Sequence, residues 1–210
     1  MQTQNLILVG GGGHCKSVID VAESAGYNII GILDVFENVG KKILDYSIIG
    51  TDDNIKDYKD CALFINSVGQ ISNVSLRLNI HNKIISAGGH LATIIANSAI
   101  VSRYCIIGEG TVIMHNAVVN ADTKIGKGCI INTLANIEHD TTIDDFCHIS
   151  TGAMINGNCY IGRGTFIGSQ AVLAHGVSIS SNCIISAGSF VRKNITQKGL
   201  YSGNPALIKK

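Results

Sequence analysis

No stretch of 18 consecutive apolar residues occurs in this 210-residue chain, so an ordinary membrane-spanning helix is excluded even though mean hydropathy is positive. An excess of either charge is also lacking. Sixteen Lys and Arg against 15 Asp and Glu leave a formal net charge of +1, which argues against a polyanion-binding surface or an acidic tail. None of the seven cysteines forms a Cys-x-x-Cys pair, so neither a zinc ribbon nor a redox motif is indicated. Proline occurs once, at Pro205. Met1–Asn5 has no basic residue and Asn5–Val9 is too short for the core of a secretion signal, so the expected location is the cytoplasm.

What the chain does have is a repeat. From Ile95 to Val191 an aliphatic residue stands at every sixth position, seventeen times without interruption, and two residues before each stands a small one, Thr, Ala, Cys, Val or Ser. A period of six fits neither a helix nor an open sheet. It fits a chain that turns a corner every six residues and stacks on itself as a parallel β-helix. Three hexads make a triangular coil, and nearly six coils at ~4.8 Å spacing give a prism on the order of 27 Å tall. Cys105, Cys129, Cys147, Cys159 and Cys183 occupy the small-residue position and read as buried core, interchangeable with Ala and Thr. Gly108, Gly126, Gly162 and Gly168 directly follow the aliphatic and are expected at tight corners. Flat sides rich in small and apolar groups invite self-association, and a trimer is the expected form.

The first 90 residues read differently. Strand Asn5–Val9 runs into Gly10-Gly11-Gly12-Gly13-His14, and Val18, Val21, Ala22 and Ala25 then recur at helical spacing up to Gly26. Further strands are expected at Ile29–Leu33, Ser47–Gly50 and Ala62–Val68, with Thr51 capping a short helix over 52–58. Residues 74–84 match both a strand and a helix. A parallel strand must be followed by a crossover, so a helix is predicted. The expected organisation is an α/β Rossmann-like domain over 1–90 followed by the β-helix and a C-terminal tail over 91–210.

Positions 18 apart stack in columns, which places His139, Gly157 and His175 above one another and His148 elsewhere on the circumference. The segment from Asn132 to Asp140 is the most polar departure from the repeat, with Glu138 at a corner. Gly10-x-Gly12-x-x-Cys15 with Asp34 some twenty residues on is a degraded dinucleotide fingerprint. Equally, a glycine-rich loop opening a helix suits any phosphate.

The Gly-Gly-Gly-His loop at 11–14, the strand ending in Asp34, Asn132 before Glu138-His139-Asp140, His148, and Gly203-Asn204-Pro205-Ala206 together resemble the bacterial nucleotide-sugar acyltransferases. These are typified by UDP-4-amino-sugar N-acetyltransferases and include sialic-acid O-acetyltransferase-like proteins, and the resemblance spans essentially the whole chain. It implies a left-handed helix and acetyl-CoA as acyl donor, with no metal. The acceptor it implies is a nucleotide-linked amino sugar, a 4-amino-4,6-dideoxyhexose, used in surface-glycan or glycoprotein assembly. O-acetylation of a sialic-acid-like sugar is the alternative.

By the resemblance His139 is the general base, a task suited to an imidazole titrating near neutrality. Asp140 orients it and Asn132 supports the same site. The Gly157 N–H holds the thioester oxygen, and His148 lines the groove of a neighbouring subunit. Ala187, Lys193 and Pro205 fall to the CoA side. Because CoA carries phosphates, Arg163, Arg192, Lys198 and Lys209 are further candidates, with solvated surface charge as the alternative reading for each. Gly12, Gly13, His14, Asp34, Ser67 and Gly69 fall to the nucleotide sugar. One departure is that Asp34 is followed by Val35, where relatives often carry a second acid.

Rival readings are weaker. Trimeric β-helix carbonic anhydrases place two zinc-binding histidines five residues apart, and no pair here has that spacing. An NAD-dependent reductase leaves the solenoid without a task. A purely structural solenoid leaves the 132–140 cluster unexplained.

Overall fold

The structure, a computed structural model, describes residues 4–209. The signal-segment reading of Met1–Asn5 falls mostly outside that range. Contacts divide the chain into two units, Met1–Gly69 with Ser75–Asn97, and Gln70–Val74 with Ser98–Lys210.

In the first unit β1 (Asn5–Val9), β2 (Asn28–Leu33), β4 (Tyr46–Gly50) and β5 (Leu63–Asn66) form a parallel sheet, with β3 (Lys42–Ile43) antiparallel on its edge and the order β3-β4-β2-β1-β5. Its strands are apolar on both faces, as parallel strands covered by helices must be. Leu6, Ile7, Leu8 and Val9 are all fully buried. The predicted first helix is α1 (Gly13–Ser24), burying Val18, Ile19, Val21 and Ala22. Gly26, at φ +81°, closes it: Gly26 N–H bonds Glu23 O and Tyr27 N–H bonds Ala22 O, the paired arrangement that satisfies a helix C-terminus. Thr51 caps the 52–58 segment through a reciprocal box with Asn54, and that segment is a 3-10 turn at Asp52–Asn54 running into α2 (Ile55–Tyr58).

The ambiguous stretch is helical, α3 (Ser75–Ser86). Spacing alone puts Leu76, Ile80, Ile84 and Ala87 on one helical face, and the buried face departs from it. Leu76 is 58% exposed, and Arg77 lies inside with Ile80, His81 and Ile84. The edge hairpin of β3 was not foreseen, because two-residue strands leave no alternation to read.

The repeats form seventeen two-residue strands, from β6 (Ile94–Ile95) to β22 (Phe190–Val191), and each ends on the aliphatic of its hexad. Within the second unit each strand from 100–101 to 172–173 pairs in parallel with the strand 18 residues on, Val118 opposite Asn136 and Ile130 opposite His148, for example. The aliphatics from Ile113 to Val191 are all buried. One wall carries strands 118–119, 136–137, 154–155 and 172–173, the second carries 124–125, 142–143 and 160–161, and the third carries 130–131, 148–149 and 166–167. Leu200–Ser202 continues the third wall, and Leu207–Ile208 closes it antiparallel.

Two expectations about the repeat change. The glycines directly after the aliphatic do not serve through positive φ; the left-handed residues stand two positions later, as at Asn116, Asp140 and Gly152. Gly168 is small for another reason. A Cβ there would lie 2.4 Å from the Ala187 backbone nitrogen on the next coil, so stacking itself excludes a side chain.

The small position is also not interchangeable around the coil. On the first wall it is Ala117, Ala135, Ala153 and Ala171, each fully buried. On the other two walls it is mostly Thr or Cys, whose Oγ or Sγ donates to a corner carbonyl fifteen residues on: Thr111 to Gly126 (2.8 Å), Cys129 to Asp144 (3.2 Å), Cys147 to Gly162 (3.2 Å) and Cys159 to Ala174 (3.2 Å). Each such contact gives a wholly or partly buried carbonyl a partner that alanine cannot supply.

Candidate active site

In the second unit the polar departure occupies a corner between the first and second walls. The chain bends there through Asp140, at φ +59°. Glu138 accepts Asn136 Nδ2 on Oε1 (2.9 Å) and Asn120 Nδ2, one coil away, on Oε2 (3.0 Å), so its carboxylate ties two coils together at the bend. His139 Nδ1 lies 2.6 Å from Asp140 Oδ2, with both side chains more than half exposed. A carboxylate can only accept, so Nδ1 carries the proton and the neutral ring keeps its lone pair on Nε2. The hydrogen bond to Asp140 raises the His139 pKa above its ordinary value; desolvation opposes this, and the charges of Asp140 and Glu138 add to it.

The imidazole lies over Gly157. A Cβ on that glycine would sit 2.8 Å from His139 Cε1 and 2.9 Å from Nε2, so the column deduced from the repeat is a physical contact and only glycine fits beneath the ring. The Gly157 carbonyl accepts Gly176 N–H (3.0 Å), whereas the Gly157 N–H makes no hydrogen bond among the described residues. A proton acceptor and a free amide donor thus stand side by side, which is what attack on a carbonyl requires.

Asn132 and His148 lie on the third wall. Asn132 Nδ2 is 3.2 Å from His148 Nε2, and Asn132 therefore hydrogen-bonds His148 rather than His139. His148 is 7% exposed, its Nδ1–H donates to Gln70 O (2.7 Å), and its ring stands edge-on to Phe166 at 5.1 Å. Donation from Nδ1 leaves Nε2 to accept from the Asn132 amide, so the ring is neutral. Its burial was not legible from the repeat, because Gln70–Val74, which lies against this wall, is outside the hexads. Ala187, Lys193 and Pro205 are exposed; Lys193 falls in the column of His139, and Pro205 follows a cis peptide bond.

In the first unit the glycine loop joins β1 to α1. Gly12 is the N-cap, the first helical turn has no acid, and nothing lies within 4 Å of where side chains on Gly12 or Gly13 would begin, which leaves the loop amides open to an anion. A Cβ on Gly11 would lie 2.6 Å from Asp34 Oδ2, an oxygen that also accepts Asn38 Nδ2 (2.8 Å). Ser67 is fully buried and donates to Gly10 O (2.6 Å), and Gly69 adjoins His14. The ends of β1, β2 and β5 thus bring Gly11–His14, Asp34 and Ser67–Gly69 to one edge of the sheet, where doubly wound sheets bind ligands. A cleft of about 330 Å³ beside it is lined by Asp34, Phe36, Glu37, Thr51 and Asp53. A second, of about 360 Å³, opens at the opposite strand ends near Asn5, Lys59, Cys61 and His90 and holds none of the candidate residues. No group of three or more His, Cys, Asp or Glu placed to hold a metal occurs among the described residues, and no described helix is long and apolar enough to cross a membrane.

Residues 5–84 match the PglD N-terminal domain family, and residues 104–139 and 158–193 match the bacterial transferase hexapeptide family. No curated protein sequence matches the chain. Among solved structures, the acetyltransferase domain of PglB from Neisseria gonorrhoeae, in complex with acetyl coenzyme A, is 30% identical, with a TM-score of 0.91 over 99% of this chain and 100% of that one. Perosamine N-acetyltransferase from Caulobacter crescentus, a histidine-to-asparagine variant in complex with CoA and GDP-perosamine, is 28% identical, with a TM-score of 0.92 over 98% and 97%. WeeI from Acinetobacter baumannii, 21% identical over 99% and 100% with a TM-score of 0.86, shares the fold. With its PglD-type domain and its left-handed parallel β-helix of hexapeptide repeats, the chain belongs to the bacterial nucleotide-sugar acyltransferase family, and it is an acyltransferase.

Proposed function

We propose that the protein transfers the acetyl group of acetyl-CoA to the amine of a nucleotide-linked 4-amino-4,6-dideoxyhexose, with His139 as general base. The observation that carries this reading is the juxtaposition of the His139 Nε2 lone pair with the free Gly157 N–H. The sugar nitrogen attacks the thioester carbonyl carbon, and Nε2 takes the proton that nitrogen sheds. Gly157 N–H stabilises the negative oxygen of the tetrahedral intermediate. The C–S bond then breaks, an amide remains on the sugar, and the departing thiolate takes up the proton as free CoA.

The relatives support the choice of substrates, since one holds acetyl coenzyme A and another, an N-acetyltransferase, holds CoA with a GDP-linked amino sugar. The nucleotide half of the acceptor is assigned to the glycine loop, Asp34 and the Ser67–Gly69 turn. CoA is assigned to the β-helix, with Ala187, Lys193 and Pro205 on its path. Asn132 and His148 lie on a different wall from His139, an arrangement suited to an active site completed by a neighbouring subunit of a homotrimer.

The test is thiol release from acetyl-CoA in the presence of UDP-, dTDP-, GDP- and CMP-linked amino sugars. Release with at least one of them is expected, and release above background with none removes the reading. A second expectation concerns pH. The base must be unprotonated, and Asp140 raises the His139 pKa, so activity falls on the acid side of that raised value. Asp140→Asn withdraws the raising interaction and moves the acid limb of kcat/KM to lower pH. An unmoved limb in that variant would assign the limb to another group.

A further inference from the structure

Arg77 is the largest fully buried side chain among the described residues, 1% exposed in the first turn of α3. Burying a guanidinium is costly, and an apolar residue at this place would serve packing better. Its contacts show what it holds. Its Nη1 donates to the carbonyl of Val68, and its own carbonyl accepts Asn66 Nδ2 (2.9 Å). Asn66 Oδ1 in turn accepts the Val68 N–H (3.1 Å), so both backbone polar groups of Val68 are held, one by Arg77 and one by Asn66.

Val68 bears directly on the glycine loop. Gly10, at φ +108°, has no room for a side chain because a Cβ there would lie 2.3 Å from Val68 Cγ2. Ser67 N–H bonds Val9 O (2.9 Å) while its hydroxyl bonds Gly10 O, and Gly69 adjoins His14. A chain of contacts therefore runs from the buried Arg77 through the half-buried Val68 to the buried Gly10. Gly10 is the residue from which Gly11–His14 project.

We infer that Arg77 is a positioning residue for the nucleotide-sugar diphosphate. It acts through Val68 to hold the glycine loop with its amides converged, without touching the ligand itself. This rests on the proposed function, in that the loop is taken as the diphosphate site. A charge-assisted bond to a carbonyl resists rotation of that peptide more than a neutral one does, and the planar fork of arginine keeps the donor in place at low entropic cost.

The test uses the full-length protein, with direct binding of UDP, dTDP, GDP and CMP measured by calorimetry beside steady-state kinetics. Arg77→Met keeps bulk and removes the donors. It is expected to raise the nucleotide Kd and the nucleotide-sugar KM about tenfold or more, with the acetyl-CoA KM and kcat within about twofold. Arg77→Lys retains one donor and the charge, and is expected to recover part of the affinity. Ser67→Ala removes the hydroxyl that bonds Gly10 O and neighbours Cys15, and is expected to raise the same KM by a smaller factor. It also carries the test with Arg77→Lys if Arg77→Met does not fold. Unchanged nucleotide affinity in a folded variant, or equal loss for both substrates, overturns the inference while leaving the proposed function intact. A wild-type protein that binds no nucleotide overturns both.

Discussion

Replacing His139 by alanine is expected to lower kcat by about 10²–10⁴-fold, the range that a positioned proton acceptor contributes, while the protein stays folded. The local geometry explains why the two effects separate. The His139 side chain is 57% exposed, and its one side-chain hydrogen bond runs to an equally exposed Asp140. Truncation therefore empties no core space and strands no buried partner, so the melting temperature is expected to remain within a few degrees of wild type. Thiol release at saturating acetyl-CoA together with a circular-dichroism melt decides the matter. Turnover close to wild type would remove His139 as the base.

Gly157→Ala is the second large effect, and it acts on the same ring from below. The added methyl would stand under 3.0 Å from two ring atoms, closer than carbon contacts allow, so the imidazole has to swing off the column. Displacement of a reacting group by about 1 Å costs on the order of 10²-fold, and the amide donor beneath is partly covered at the same time. Because the ring is exposed and free to move, little stability should be lost. The diagnostic is non-additivity: if Gly157 acts chiefly through His139, the double variant His139→Ala with Gly157→Ala is no slower than His139→Ala alone. A double variant slower by a further factor near 10² would instead assign Gly157 an independent part, as the amide donor.

Much of the fold was legible because a period of six has few physical solutions. Every aliphatic from Ile95 to Val191 ends a two-residue strand, and counting by eighteen along the repeat stacks His139 on Gly157, as the contact between them does. The N-terminal strands followed from short apolar runs, and α3 from the need for a crossover after a parallel strand. What was not legible came from contacts that no period encodes. Gln70–Val74 belongs with the β-helix, and its carbonyl at Gln70 explains the burial of His148. On α3 the face set by the spacing of Leu76, Ile80 and Ile84 is not the buried one: Arg77 lies inside and Leu76 outside, because Val68 and Asn66 offer the guanidinium and its backbone their partners. For the candidate site, His139 hydrogen-bonds Asp140 and Asn132 hydrogen-bonds His148, since sequence proximity says nothing about which wall a corner residue faces.

The cysteines of the small position give the solenoid an internal set of reporters. Cys129, Cys147, Cys159 and Cys183 sit in successive parts of the stack, buried and hydrogen-bonded to carbonyls, and burial pushes the thiols of Cys147 and Cys159 up in pKa, which suppresses the reactive thiolate. Only Cys61 is exposed, and Cys105 half-buried, among the seven. In a stack where each coil touches only its neighbours, opening proceeds locally and from the ends. The order in which thiols become alkylated therefore reads out which coils fray and which hold, one chemical mark per rung, without a label being introduced.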